Sequence, residues 1–239
     1  MVFGAILAGG VGSRMGEELP KQFLPLGDKP VIYYCLSKFL SCQEIDQVFI
    51  GVHEDWMAHT QTIVTQYLPE HAHRIHILQG GSGRNETLQN IIAAIDAVRT
   101  DSEEDIIVTH DAARPFVTMR MIEENIAAAK NCGAVNTVCP AIDTIVISQD
   151  GSTISDIPNK ATMYLGHSPQ SFKINLLKRL YSTLTEEEKA ILTDACKICV
   201  LRGFPVALVQ SEYTNLKITT PGDYLIAQAY AEKGIHLQD

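Results

Sequence analysis

Apolar residues along this 239-residue chain follow two alternating patterns. Short runs rich in β-branched residues recur at 2–7, 47–52, 75–78, 106–109, 133–139 and 205–209. Between them, apolar positions return every three or four residues over 30–40, 55–68, 85–98, 119–131, 175–184, 194–202 and 221–232. Dense apolar runs suit strands covered on both faces, and helical spacing suits helices with one buried stripe. Their alternation predicts βαβ units, that is, an α/β chain with a mostly parallel twisted sheet flanked by helices.

One stretch breaks this rhythm. Asp143 to Ser148 and Thr153 to Ile157 flank Asp150-Gly151 and read as a β-hairpin. A two-stranded ribbon is marginal in water by itself. The segment at about 140–165 is therefore expected to protrude as an arm that lies on something, with a second subunit as the inferred support. No repeat or low-complexity linker interrupts the chain, so a single domain over 1–239 is expected.

Hydrophobic content of 46% and charged content of 20% suit a globular chain long enough to bury a sizeable core. The first apolar run has no basic flank and breaks at Gly9-Gly10, so neither a signal peptide nor a membrane span is expected, and the location expected is cytoplasmic. A net charge of −9 argues against nucleic acid or an anionic membrane as partner. Any polyanion must then be held by a local cluster of cations. Cys35, Cys42, Cys132, Cys139, Cys196 and Cys199 lie mostly among apolar residues, as reduced core thiols do. Cys196-Lys197-Ile198-Cys199 is a C-x-x-C without a second pair for zinc, inside a helical pattern.

The chemistry concentrates after the first run. Leu7-Ala8-Gly9-Gly10-Val11-Gly12-Ser13-Arg14-Met15-Gly16 is followed by Leu19-Pro20-Lys21-Gln22-Phe23. Glycines let backbone N–H groups converge on an anion, and Arg14 and Lys21 add charge that amides lack. The loop is not a Walker A, and Met15 stands where a dinucleotide loop needs a small residue, which counts against an oxidoreductase. Further polar clusters follow the other strands. Gly80-Gly81-Ser82-Gly83-Arg84-Asn85-Glu86-Thr87 opens a helix with amides and hydroxyls suited to a base edge or phosphate, with Asn85 also a candidate helix cap. His110-Asp111-Ala112-Ala113-Arg114-Pro115 offers Asp111 for Mg²⁺ or a hydroxyl, and Arg114 for a phosphate or a supporting ion pair. Gly166 to Phe172 reads as a rigid polar turn, and Lys217 precedes a Thr/Pro-started helix. His71, His73 and His76 lack nearby carboxylate support and read as surface histidines rather than a metal site.

Taken in order, Leu7-Ala8-Gly9-Gly10-x-Gly12-x-Arg14-Met15, Pro20-Lys21-Gln22, Gly80-Gly81-x-x-Arg84, His110 to Pro115, Pro169-Gln170-x-Phe172, Thr193-Asp194-Ala195 and Asn215-x-Lys217-Ile218-Thr219 resemble the cytidylyltransferase family that activates methylerythritol 4-phosphate or ribitol 5-phosphate with CTP. Arg84-Asn85-Glu86-Thr87, Asp143-Thr144-Ile145 and Thr193 to Lys197 look more like the ribitol 5-phosphate branch. The resemblance implies a Rossmann-like nucleotidyltransferase fold and transfer of a cytidylyl group, with Mg²⁺ as cofactor. It implies that Leu7, Ala8, Gly9, Gly10, Gly81, Ser82, Gly83, Arg84, Asn85, Glu86, Thr87 and Ala112 bind CTP. Arg14 and Lys21 match the pair that stabilises the transition state. Lys217 matches a residue that positions the acceptor, and Asp111 and Arg114 fall in the same substrate-binding set. Lys160 stands where the family carries an arginine, so it keeps the charge and loses the bidentate fork; from the hairpin region it is expected to serve a neighbouring subunit. A homodimer, a reductase supplying the acceptor and use of the product in teichoic acid synthesis are implied in the same way. Two other readings stay open: the methylerythritol 4-phosphate enzyme, and a nucleotide-binding regulator without catalysis.

Overall fold

A computed structural model describes residues 1–10 and 19–235. The first strand, β1 (Val2–Ala8), is buried along its whole length. After a 3₁₀ turn at Lys21–Phe23, two short strands, β2 (Pro25–Leu26) and β3 (Lys29–Pro30), pair with each other and lead into α1 (Val31–Ser41). Then follow β4 (Gln47–Val52), α2 (Met57–Tyr67), β5 (Ile75–Gln79), α3 (Arg84–Asp96), β6 (Ile106–Asp111), α4 (Met119–Cys132) and β7 (Ala134–Pro140). The chain closes with β8 (Tyr164–Lys173), α5 (Ile174–Ser182), α6 (Glu186–Ala190), α7 (Cys196–Leu201), β9 (Ala207–Gln210) and α8 (Pro221–Glu232).

Seven strands form one sheet in the order β5-β4-β1-β6-β8-β7-β9. Strands β5, β4, β1 and β6 run parallel, as do β7 and β9, whereas β8 is antiparallel to both of its neighbours. Period-two alternation divides the core. Val2, Ile6 and Ala8 face α1, α2 and α4, while Phe3, Ala5 and Leu7 face α3, α5 and α7. A third, smaller cluster joins Leu24, Leu26, Val31, Tyr34 and Phe116 to Ile218 and Ala227, and so packs α8 beside the segment that follows Lys21.

Two expectations are corrected. Gly166 to Phe172 is not a turn but the interior of β8. Its alternation is disguised because Ser168, Gln170 and Ser171 are polar and yet buried. Pro169, which has no N–H to donate, falls where the register with β7 shifts between Asn136 and Val138, and the Thr137 hydroxyl donates to its carbonyl at 2.7 Å. The hairpin between 143 and 157 also shrinks, to a single bridge between Ile147 and Asp156. Its turn does form. The Asp150 carboxylate accepts from the backbone N–H groups of Ser152 and Thr153, at 2.9 and 2.8 Å, and from the Ser148 and Thr153 hydroxyls. Beyond the turn the segment joins no sheet among the described residues, and Ile142, Val146, Ile147, Ile154 and Ile157 are exposed.

Candidate active site

Parallel strands β1, β4, β5 and β6 end at one edge of the sheet, where α/β folds bind ligands. A cavity of about 170 Å³ opens there. Leu7 to Gly10, at the end of β1, form one wall; Gly83, Arg84 and Thr87, at the start of α3, form another. Asp111, Ala112 and Ala113 come from the end of β6, and Lys21, Gln22 and Lys217 complete the lining.

Charge in this cavity is organised around Asp111. Its carboxylate lies 2.8 Å from Lys217 Nζ, 3.3 Å from Arg84 Nε and 3.8 Å from Arg114 Nε. Burial alone would raise the Asp111 carboxyl, but Arg84, Lys217 and Arg114 outweigh it and hold the group well below the usual carboxylate range. Three cations on one carboxylate leave a surplus of positive charge, which suits an anionic ligand. Arg114 is buried behind Asp111 and does not line the cavity. Its burial pushes the guanidinium down, and Asp111 partly offsets that. Of the two roles its sequence left open, this placement matches the supporting ion pair.

Beneath the charged groups runs a closed circuit of hydrogen bonds. His110 is fully buried, and burial pushes its imidazole down to about 4, so it is neutral near pH 7. Its Nε2 lies 3.0 Å from the Arg114 carbonyl, an acceptor only, which assigns the proton to Nε2. Nδ1 then accepts from the Ser168 hydroxyl at 3.0 Å, and Ser168 Oγ in turn accepts from the Asp111 N–H at 3.2 Å. Asn215 Nδ2 donates to the Ser168 carbonyl at 2.9 Å, and Arg114 Nη1 donates to the Asn215 carbonyl at 2.6 Å. The circuit ties the ends of β6 and β8 to the segment carrying Lys217.

The loop after β5 is braced by its own side chains. Thr87 Oγ accepts from the Gly81 N–H at 3.0 Å and donates to the Gly83 carbonyl at 2.9 Å. Glu86 accepts from the Ser82 N–H at 2.7 Å and from its hydroxyl at 2.5 Å. Asn85 is not the cap of α3: Gly83 holds that position, and the Asn85 amide donates to the Leu192 carbonyl at 3.1 Å. Of this loop's predicted ligand residues, Gly83, Arg84 and Thr87 reach the cavity, whereas Gly81, Ser82, Asn85 and Glu86 frame it.

Ala112 lines the cavity beside Asp111. Arg14 lies outside the described residues. Lys160 sits at the 3₁₀ turn Lys160–Thr162, exposed, with Nζ donating to the Ile142 carbonyl at 3.0 Å, and does not line this cavity. His76 stacks on Phe49 with ring centres 4.5 Å apart, and no cluster of His, Cys, Asp or Glu able to hold a metal occurs among the described residues. The Cys196 and Cys199 thiols are buried and pushed up by that burial, as unreactive core groups are. Sequence reasoning gave no role to Gln22, His110, Ser168, Gln170 or Asn215. Gln170 Oε1 accepts from Arg84 Nη2 at 3.3 Å. The available signal was the density of polar residues on an otherwise strand-like segment.

Known proteins resemble this chain along almost its whole length. The profile of the IspD family, 2-C-methyl-D-erythritol 4-phosphate cytidylyltransferase, matches residues 2–233. Ribitol-5-phosphate cytidylyltransferase of Streptococcus pneumoniae serotype 2 (strain D39) is 51% identical over 234 residues, which cover 98% of this chain and 100% of that protein. The crystal structure of 4-diphosphocytidyl-2C-methyl-D-erythritol synthase from Anaerococcus prevotii superposes with a TM-score of 0.79 at 25% identity, covering 97% of this chain and 98% of that one. The 2-C-methyl-D-erythritol 4-phosphate cytidylyltransferase of Thermus thermophilus shares the fold, with a TM-score of 0.73 at 24% identity over 97% of this chain and 100% of that one.

Proposed function

The chain belongs to the IspD family of cytidylyltransferases, and on that premise we propose that it transfers the cytidylyl group of CTP to D-ribitol 5-phosphate, releasing CDP-ribitol and pyrophosphate. The acceptor follows the relatives that match at 51% identity, whereas the methylerythritol enzymes match as fold and family. The observation that carries the reading is the cavity at the strand ends, where Arg84 and Lys217 pair with a single carboxylate and Lys21 adds a further cation to the lining.

A phosphate oxygen of the acceptor attacks the α-phosphorus of CTP, a new P–O bond forms, and the bond to the β-phosphate bridging oxygen breaks in line. Both reactants are anions, so catalysis is chiefly alignment and charge neutralisation. Lys21 acts on the α-phosphoryl group and the leaving pyrophosphate, together with Arg14 of the same motif. Lys217, held by Asp111, receives the acceptor phosphate; Arg114 supports Asp111 from behind. The glycine wall and the Gly83–Thr87 turn hold the nucleotide. The acceptor phosphate is already ionised near neutral pH and needs no general base.

Magnesium ions bind through one or two carboxylates plus substrate phosphates. Asp111 is the one carboxylate among the described lining residues, so it is the side chain that would hold an ion brought in with CTP. When bound, it supplies further neutralisation of the phosphates. A second copy of the chain covers the exposed isoleucines of residues 142–157 in this reading, and Lys160 then serves the neighbouring site. We place the enzyme in the cytoplasm, after a reductase that makes the polyol phosphate and before polymer synthesis of the teichoic acid kind.

The test is pyrophosphate release from CTP and Mg²⁺ with ribitol 5-phosphate, run beside methylerythritol 4-phosphate. At least a hundredfold preference in kcat/KM for ribitol 5-phosphate is expected. The reverse preference assigns the chain to isoprenoid precursor synthesis, and silence with both acceptors removes the reading.

A further inference from the structure

We propose that Gln22 is a positioning residue for nucleotide binding, whose side-chain amide ties down two backbone carbonyls of the glycine wall and sets that wall against Lys21. The inference rests on the cytidylyltransferase reading of the cavity and adds to it a residue that the reaction itself does not require.

Gln22 is 3% exposed and lines the cavity. Its Nε2 donates to the Ala8 carbonyl at 2.8 Å and to the Gly10 carbonyl at 3.1 Å. Two carbonyl acceptors decide which end of the amide faces the wall, because Oε1 in that place would oppose them. The same pairing matters for the ligand. Backbone carbonyl oxygens swung into a triphosphate site would repel it, and Gln22 holds both toward itself. Because the peptide is trans, drawing the Ala8 carbonyl to Gln22 also turns the Gly9 N–H away from Gln22.

The element that carries Gln22 is itself fixed. Phe23 is buried, with its ring 5.4 Å from that of Trp56 and 5.0 Å from that of His59. The turn Lys21–Phe23 therefore has an anchored base and offers neighbouring residues to two tasks. Lys21 lines the cavity as a cation, and Gln22 holds the wall at a set distance from it. A glutamine is suited to this because it brings two N–H donors without charge, whereas a lysine would add a competing cation and a glutamate would add repulsion.

Gln22→Glu is the discriminating substitution. It keeps the shape but sets an acceptor-only carboxylate against two carbonyls, and protonation returns one O–H donor, which a buried carboxyl facing acceptors favours. CTP binding without acceptor is measured by calorimetry at pH 8 and pH 6, with thermal melting alongside. Lys21 on the same turn, His59 on α2, Arg84 on α3, Asp111 on β6 and Lys217 are present in both proteins, so the difference between the two pH profiles isolates position 22. The expected result is CTP affinity at least tenfold below wild type at pH 8, a gap that narrows severalfold at pH 6, and a KM for ribitol 5-phosphate within twofold of wild type. If Gln22→Glu does not fold, Gln22→Met removes both hydrogen bonds without charge and is expected to lose CTP affinity with the acceptor KM unmoved. CTP affinity within twofold of wild type in either folded variant at pH 8, a Gln22→Glu gap that persists at pH 6, or loss of the fold in both variants overturns the proposal. Wild-type protein that binds no CTP overturns the cytidylyltransferase reading, and the proposal with it.

Discussion

Lys217 Nζ meets Asp111 Oδ2 at 2.8 Å across 106 residues of sequence. The backbone bond from the Ile218 N–H to the Ala113 carbonyl, 2.9 Å long, sets the two segments side by side. The lysine assigned to the acceptor phosphate is thus aimed by a carboxylate before any anion arrives. When it turns to the acceptor, Asp111 keeps Arg84 and Arg114 as partners. Lys217→Met should therefore raise the KM for ribitol 5-phosphate at least tenfold and leave the dissociation constant of CTP within twofold. Steady-state kinetics and calorimetry separate the two; equal losses in both would remove Lys217 from the acceptor side.

Lys21 tests the other half of the charge. Removing one preorganised donor from a developing negative charge costs about 10²–10³ in kcat. Lys21→Ala should show a loss of that size in pyrophosphate release. Its melting temperature should stay close to wild type, because the buried Phe23 ring, packed on Trp56, anchors the turn. Wild-type turnover in this variant would remove the central mechanistic claim.

Two glycines should respond in opposite ways. At Gly51 a Cβ would lie 2.4 Å from Thr87 Cγ2 and 3.1 Å from Ile91 Cδ1, at the packed contact between β4 and α3. Gly51→Ala should lower stability by about 1–3 kcal/mol, as overpacking does. At Gly10 no described atom lies within 4 Å of the added Cβ, and the residue faces the cavity. Gly10→Ala should melt like wild type and yet bind CTP at least tenfold more weakly, since the methyl meets nucleotide rather than protein. Paired melting curves and CTP titrations check both.

Much of this arrangement was legible beforehand because its parts are local. β1 reads as one apolar run since both faces are covered, and the cluster from His110 to Arg114 marks a strand end by its abrupt change to polar residues. What was not legible depends on contacts across the sheet. Ser168 and Gln170 looked like turn residues because their polarity is satisfied by partners 58 and 86 positions away, His110 and Arg84. Gln22 was visible as part of a motif, but its role rests on carbonyls 12 and 14 residues earlier. The hairpin is reduced to one bridge for the converse reason. Its alternation and Asp-Gly turn were locally sound, yet no surface among the described residues takes up its apolar side chains.

The buried imidazole makes stability depend on pH. Burial holds His110 near 4, against about 6.5 for the ordinary group, and His167, half-buried near Arg114, is likewise lowered to about 4. Between those values the unfolded chain binds protons that the folded one refuses, so stability is complete above about 6.5 and declines as pH falls toward 4. Melting temperature should fall over that window. His110→Gln should flatten part of the slope whatever it does to absolute stability, and an unchanged slope would mean that His110 titrates normally in the fold.

The last expectation concerns residues 142–165. Ile154 and Ile157 are 61% and 56% exposed, on a segment whose strands make one bridge, and that is an unfavourable state for isolated β-branched residues facing water. Lys160 is carried on the same segment and donates to Ile142 instead of reaching the cavity of its own chain. Both facts have one explanation if a second copy covers the isoleucines and receives Lys160 at its acceptor site. Ile154→Asp combined with Ile157→Asp should then shift the mass measured by light scattering from two chains to one. The same double variant should raise the KM for ribitol 5-phosphate at least tenfold while CTP binding, which we assign to β1, β6 and α3 of one chain, stays near wild type. Lys160→Ala should reproduce the kinetic loss without changing the mass. A monomeric variant with unchanged acceptor KM would confine the segment to assembly and release Lys160 from any part in the reaction.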